Sequence, residues 1–434
     1  MPPAPPAGSG PRLGSLWRHH RAETSGPQTG TTEEIITKLS KIRNLEVASR
    51  SSVARFKGTR EDAKQVGREL GVRYILEGSV RKAENRVRIT TQLIDSTTGF
   101  NVWAEDFDRD LKDVFAVQEE TALKIADALN LRLTPQEQEV VRRRYTQDAE
   151  AYDAYLRGRA FQSQFDIPEK QEQMRKEFEF ALQRDPNYAP ALAGLSWVES
   201  SFHRNLDSDP AHMQRAEQFA ERARTIDAQL PAVHMAIGYI AANRYDYRRG
   251  AEEFLEAARL DPEDALAWDF ASWALGYQQP PDAARAEKAS REAIRLGYET
   301  MAGYYHLGRA LLLQGRYDGA IAAFEQAHKV SPQSSTPDGG LAQVYLARGD
   351  YDRALSYWSR QSSAQVHTAI VAFQGSLIYA ACGKAAPPAG GLHSRTSTPP
   401  LATRRVPQFA GYLALLVASP QRAERIPQQP VPAR

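Results

Sequence analysis

A pattern of paired helices that returns about every 34 residues limits this 434-residue chain more than any other feature. One copy is carried by Tyr304, Leu307, Gly308, Leu311, Ala320, Phe324, Ala327 and Pro332. Two copies earlier stand Ile237, Gly238, Ala241, Gly250, Phe254, Ala257 and Pro262, and one period later stand Leu341, Ala342, Tyr345, Ala354 and Trp358. Between the first two, Trp268 opens a copy with two extra residues before Ala293. Looser copies surround Gly158–Pro186 and Leu195–Ala228, and a half-copy over 369–382 breaks off at Gly383. The small residues sit where two helices cross, so that their backbones can approach. The large ones fill the gap to the next copy. Proline ends the second helix, because it lacks an N–H and restricts the residue before it. One helix pair cannot bury its apolar face alone, so several must stack.

These residues resemble the tetratricopeptide signature W-x2-L-G-x2-Y…A-x3-F…P. The resemblance implies an all-α solenoid over 150–384, with about six repeats and one half-repeat.

Upstream the periodicity changes. Thr31 or Thr32 can cap a helix, with Glu34 completing a capping box, and Ile35, Ile36, Leu39 and Ile42 mark one helical face. Leu45–Ala48 reads as a short strand, and Asp62–Leu70 as a helix stopped by Gly71. Val72–Arg81 and Val87–Ile94 form a hairpin about the turn Ala83-Glu84-Asn85, and after Ser96–Gly99 a third strand runs from Phe100 to Phe107. An amphipathic helix over 111–131 closes a small α/β domain spanning 31–145.

The stretches TEEIITKLSKIRNLEVASRSSVARFKG and VGRELGVRYILEGSVRKAENRVRITTQLIDSTTGFNVWAEDFDRDLKDVFAVQEE resemble a bacterial TolB-like amino-terminal domain. In that family the domain is commonly followed by tetratricopeptide repeats. The pair often sits behind an adenylate cyclase, a winged-helix regulator or a kinase domain. The resemblance implies a sensory or scaffolding module without a catalytic residue of its own. The family's opening apolar strand has no counterpart in the Pro-rich start of this chain, so the first strand is expected to be missing and the sheet to keep an unpaired edge.

Composition places both ends apart. Residues 1–30 and the stretch beyond 385 hold most of the prolines and nine arginines, and are expected to be disordered tails (1–30 and 385–434), real or out of frame. The net charge of +2 comes from these ends, and the part between them is mildly acidic. No general case for nucleic-acid binding follows. The single cysteine, Cys382, excludes an internal disulfide or a Cys-based metal cluster. The longest apolar run, Phe409–Ala418, is too short to span a membrane. A cytoplasmic location is expected, or a periplasmic one if a membrane segment lies upstream.

No phosphate loop, dinucleotide fingerprint, H-E-x-x-H or G-x-S-x-G is present. The nine histidines are scattered: His19, His20 and His393 lie in the ends, while His234 and His306 belong to first helices of repeats. The acidic run Asp106–Asp110 reads as a solvated strand end, with Asp108 or Asp110 capping the next helix, rather than as a cation site. Ser51-Ser52 reads as a turn or cap, and Arg142-Arg143-Arg144 as a solvated face or an electrostatic docking patch. No enzyme activity, catalytic residue, metal or cofactor is expected.

The expected function is a scaffold for protein–protein interaction in signalling, with a protein or peptide partner held in the repeat groove. The alternative is a regulatory fragment of an adenylate cyclase, or of a winged-helix regulator, whose effector domain lies outside this chain. Positions 2, 5, 9, 12 and 13 of the first helices line that groove, as family stacking implies. They give Trp197, Tyr239, Trp273 and Arg309 (position 9), Met235 and Tyr305 (position 5) and Tyr277 (position 13) as partner-binding residues. Trp, Tyr and Arg dominate binding hot spots. Packing of Trp197 and Trp273 against the neighbouring repeat is the competing expectation. The Lys and Asn that clamp a terminal carboxylate in chaperone-binding relatives are absent from positions 5 and 9, which favours an apolar segment over an acidic tail.

Overall fold

The computed structural model describes residues 11–17, 35–36, 38–40, 42, 44–48, 53, 56, 62–83, 86–110, 114–162, 167–205 and 209–363. The capping box at Thr31–Glu34, Ser51-Ser52, Glu84-Asn85, the half-repeat 369–382 with Cys382, the Phe409–Ala418 run, and His19, His20, His367 and His393 lie outside them. The chain divides into two compact units: residues 1–274 with 295–298, and residues 275–294 with 299–434.

The first unit opens on a five-stranded sheet with strand order β2-β1-β3-β4-β5. The strands are β1 (Arg12–Trp17), β2 (Glu46–Val47), β3 (Tyr74–Ala83), β4 (Arg86–Asp95) and β5 (Asn101–Asp110). β1 runs parallel to both of its neighbours, with Leu13 opposite Val47 and Tyr74, whereas β3, β4 and β5 are antiparallel. This corrects the expectation that the first strand is missing and that residues 1–30 form a tail throughout. RLGSLW is short and flanked by Pro and Gly, so no alternation stands out. Its backbone nevertheless fills the slot between β2 and β3, and Leu13 is fully buried. Parallel strands buried on both faces need not alternate.

Helix α1 (Ala63–Leu70) covers one face of the sheet. Asp62 caps its start by accepting from the Gln65 N–H, and Gly71 ends it at φ 66°, a left-handed conformation that glycine tolerates best. It joins Val53, Phe56, Val66, Val72, Ile75 and Ile94 in one cluster. Helix α2 (Val114–Ala128) and the buried residues Ile35, Leu39 and Ile42 close the other face over Leu13, Leu76, Ile89, Leu93 and Phe107.

The acidic run lies inside β5, which corrects the capping role. Asp108 pairs with Arg86 at 2.7 Å and Arg88 at 3.3 Å across the ladder. The hydrogen bond from Arg86 holds its carboxyl below the usual range.

Helix α3 (Pro135–Arg142) leads to six helix pairs among the described residues. They are α4 (Ala149–Ala160) with α5 (Pro168–Arg184), α6 (Ala189–Asn205) with α7 (Pro210–Ile226), and α8 (Pro231–Asn243) with α9 (Tyr247–Leu260). α10 (Ala265–Tyr277) with α11 (Ala283–Arg295), α12 (Met301–Leu313) with α13 (Tyr317–Val330), and α14 (Thr336–Arg348) with α15 (Tyr351–Ser363) complete the set. The fold is thus a small α/β domain followed by an all-α tetratricopeptide solenoid.

One device recurs. In three second helices, α5, α9 and α13, a phenylalanine (Phe178, Phe254 or Phe324) lies against glycine on a flanking first helix. A Cβ on Gly158 or Gly194 would come within 2.5 or 2.7 Å of the Phe178 ring, and one on Gly308 or Gly340 within 2.8 or 2.4 Å of the Phe324 ring.

Near residue 145 the expected domain boundary is a joint within the first unit. The buried Lys38 ammonium donates to the carbonyls of Val141 (2.5 Å) and Arg143 (3.1 Å). Gln118 donates to the Tyr152 hydroxyl, linking α2 to α4. The arginine run is exposed, as a solvated face requires, and also makes internal ion pairs: Arg142 and Arg144 reach Glu119, and Arg143 reaches Asp227 at 3.0 Å.

Candidate protein-interaction surface

In the first unit α6, α8 and α10 present Trp197, Tyr239 and Trp273 at corresponding positions, and the structure brings these three together. The Trp197 and Tyr239 rings meet edge-on at 6.2 Å, and Tyr239 lies 6.1 Å from Trp273. All three are buried, at 7%, 2% and 8% exposure. They are the floor of the groove face and not open contact residues.

Phe270 explains the burial. It stands one turn before Trp273 in α10, where the equivalent positions of the other first helices are Gly194 in α6, Ala236 in α8, His306 in α12 and Gly340 in α14. Its ring lies 5.3 Å from Phe254, 5.5 Å from Tyr239, 6.0 Å from Trp273 and 6.5 Å from Trp197. A ring where the two preceding first helices carry only glycine or alanine fills the space that the position-9 aromatics would otherwise line. Sequence reading missed Phe270; the signal was a bulky aromatic where the two preceding copies carry Gly194 and Ala236. Met235, on α8, remains half-buried and packs beside Ala257, Ala258 and Ala267.

The exposed polar group on this face is Arg204, at the end of α6, two turns beyond Trp197 and on the same helical face. Its guanidinium lies over the Trp273 ring, 4.7 Å from the centroid, and its Nη1 donates to Asn243 Oδ1 at 3.1 Å. Asn243 is oriented in turn by donating to the Ser200 carbonyl and hydroxyl, at 3.0 and 2.7 Å.

The second unit holds Tyr277, Tyr305 and Arg309. Arg309 is buried at 4% exposure, its guanidinium 3.5 Å from the Tyr277 ring centroid, with Nη2 donating to the Gly276 carbonyl at 3.3 Å. Tyr305 leans on Phe324 at 5.4 Å. Tyr277 and Tyr305 are half-buried, so they keep open surface that Arg309 lacks.

Two further clusters of ionisable groups occur between helices of a pair. Glu199, almost fully buried in α6, meets His212 at 2.6 Å and Arg215 at 2.8 Å. His234 pairs with Glu253 across α8 and α9 at 2.7 Å. Among the described residues no group of three or more His, Cys, Asp or Glu is arranged to hold a metal ion, and no helix is long and apolar enough to cross a membrane.

Comparison with known proteins agrees with this architecture. Residues 311–371 match the tetratricopeptide repeat family model. Over 210 residues the chain is 42% identical to the Rhizobium meliloti (strain 1021) protein named "Putative adenylate cyclase 3", a match covering 48% of this chain and 36% of that one. Over 194 residues it is 22% identical to anaphase-promoting complex subunit 3 of Schizosaccharomyces pombe, covering 41% of this chain and 29% of the relative. The chain therefore spans about a third of the length of these curated relatives. The solved structure of Pseudomonas aeruginosa pilF is similar at 20% identity and a TM-score of 0.39, over 54% of this chain and 97% of that one. The repeats make the chain a protein-interaction scaffold of the tetratricopeptide type.

Proposed function

We propose that this chain is a non-catalytic, partner-binding part of a bacterial signalling protein, with a TolB-like domain that includes β1 and extends to about residue 145, and a partner segment seated on the groove face of the repeats. The observation that carries the reading is the division of the seven groove residues into a buried floor and an open set. In the first unit Trp197, Tyr239 and Trp273 are buried and Met235 keeps surface for contact; in the second Arg309 is buried and Tyr277 and Tyr305 keep theirs. A partner gains affinity from half-open aromatic and thioether groups set on a rigid bed, because little side-chain entropy is lost on binding. The test is peptide-library selection on the purified protein, repeated on Met235→Glu and Tyr305→Glu. Binding that survives both substitutions unchanged overturns the groove reading.

The relation to the Rhizobium meliloti protein favours a second reading, in which the chain regulates an adenylate cyclase. It applies if the protein, added to the catalytic domain of that relative, changes cyclic AMP output. It falls if output is unchanged at saturating protein. Incubation of the chain alone with ATP is expected to give no cyclic AMP.

A further inference from the structure

The first-helix face that carries Trp197, Tyr239 and Trp273 is filled by its own rings, and what it offers outward is a cation. Arg204 leaves α6, passes along Asn243 of α8 and ends over Trp273 of α10, so one guanidinium rests on three consecutive first helices. Its partners there are neutral: an amide oxygen and the face of an indole. Among the described residues no carboxylate pairs with it. Asp269, one turn before Trp273 on α10, is buried at 1% exposure and engaged elsewhere.

The arrangement also holds the guanidinium in place. Ser200 fixes Asn243, Asn243 fixes Nη1, and the indole fixes the plane, so rotamer entropy is already spent before anything binds. The remaining N–H donors of the fork are left for a planar acceptor, and a carboxylate matches that fork in charge and spacing.

We propose that this guanidinium is the specificity point of the groove, and that it takes the side-chain carboxylate of a Glu or Asp within the partner segment. The inference rests on the groove reading above and adds the partner's chemistry to it. It reverses the sequence-based expectation of an apolar segment, because the apolar floor is occupied by Phe270. A side-chain carboxylate, rather than a chain terminus, fits a single cation with no second one at positions 5 and 9, where Met235, Tyr239, Asp269 and Trp273 stand.

The experiment selects a displayed random-peptide library on the wild-type protein, on Arg204→Glu and on Arg204→Ala, with Met235→Glu as control. Circular dichroism and thermal melting confirm that each variant is folded. The expected result is enrichment of Glu or Asp at one position of the wild-type-selected peptides. Arg204→Ala should weaken those peptides by about tenfold, and Arg204→Glu should select Lys or Arg at the same position. Peptides that are lost on Met235→Glu yet show no acidic preference and ignore Arg204→Glu overturn this inference and leave the groove reading standing. Peptides that ignore Met235→Glu, or a selection that yields none, overturn both.

Discussion

The Tyr145 hydroxyl donates to Asp227 Oδ2 at 3.0 Å, fastening the segment just beyond the α/β domain to the last turn of α7. Arg143 reaches the same carboxylate oxygen at 3.0 Å, so one acid closes two links between the sheet domain and the second repeat. Burial first, and then the charge of Asp227, raise the Tyr145 phenol above its ordinary range, so the donor keeps its proton in alkaline solution.

Removing this hydroxyl should cost little on its own and yet be specific. Tyr145→Phe is expected to lower stability by about 1 kcal/mol. In a double-mutant cycle with Asp227→Asn, measured by urea denaturation, the two losses should fall short of additive. Full additivity would mean that the bond is not formed in solution.

Gly340 faces the Phe324 ring so closely that an added Cβ would lie 2.4 Å from it. Gly340→Ala should destabilise the second unit by about 1–3 kcal/mol through overpacking, even though alanine favours helix. Gly315, with open space around its Cβ position and φ 70°, provides a contrast: Gly315→Asn should be far milder, because asparagine tolerates that backbone region. Thermal melts of the two variants separate steric cost from backbone cost.

Trp273 touches Tyr239, Tyr247, Phe254 and Phe270. Trp273→Ala is expected to cost about 3–5 kcal/mol, as for a large buried ring. Arg204→Ala, which removes only the cation above that ring, should cost about 1 kcal/mol or less. A near-native melting temperature for Trp273→Ala would show this side chain to be open surface.

The His234 ring sets Nδ1 2.7 Å from a Glu253 carboxylate oxygen and Nε2 3.0 Å from the Ala228 carbonyl, two acceptors. Both bonds are satisfied together only by the imidazolium, and the Glu253 hydrogen bond first of all raises the His234 pKa above its usual value. A raised folded-state pKa gives stability that is fully present below the unfolded value, near 6.5, and is lost as pH rises through the folded one. The stability gap between wild type and His234→Ala should therefore be larger at about pH 5.5 than at about pH 8.5. A gap that does not change with pH would place the neutral ring in this bond.

The sequence by itself determined the repeat. The positions of Gly158, Gly308, Phe254, Phe324 and Pro262 state which helices pair, where they cross and where they end, because those constraints act over one turn or one neighbouring helix. The strands from Tyr74 to Asp110 were legible for the same local reason. Only the tertiary structure decided which faces stay open. Whether Trp197 lines a groove depends on Phe270, two first helices away, and which elements the exposed Arg142–Arg144 run ties together depends on Glu119 and Asp227. β1 has too little pattern of its own and becomes a strand because β2 and β3 leave unpaired backbone on either side of it. Periodicity records which side of an element is apolar; what covers that side is settled by residues distant in the chain, and packing brings them together.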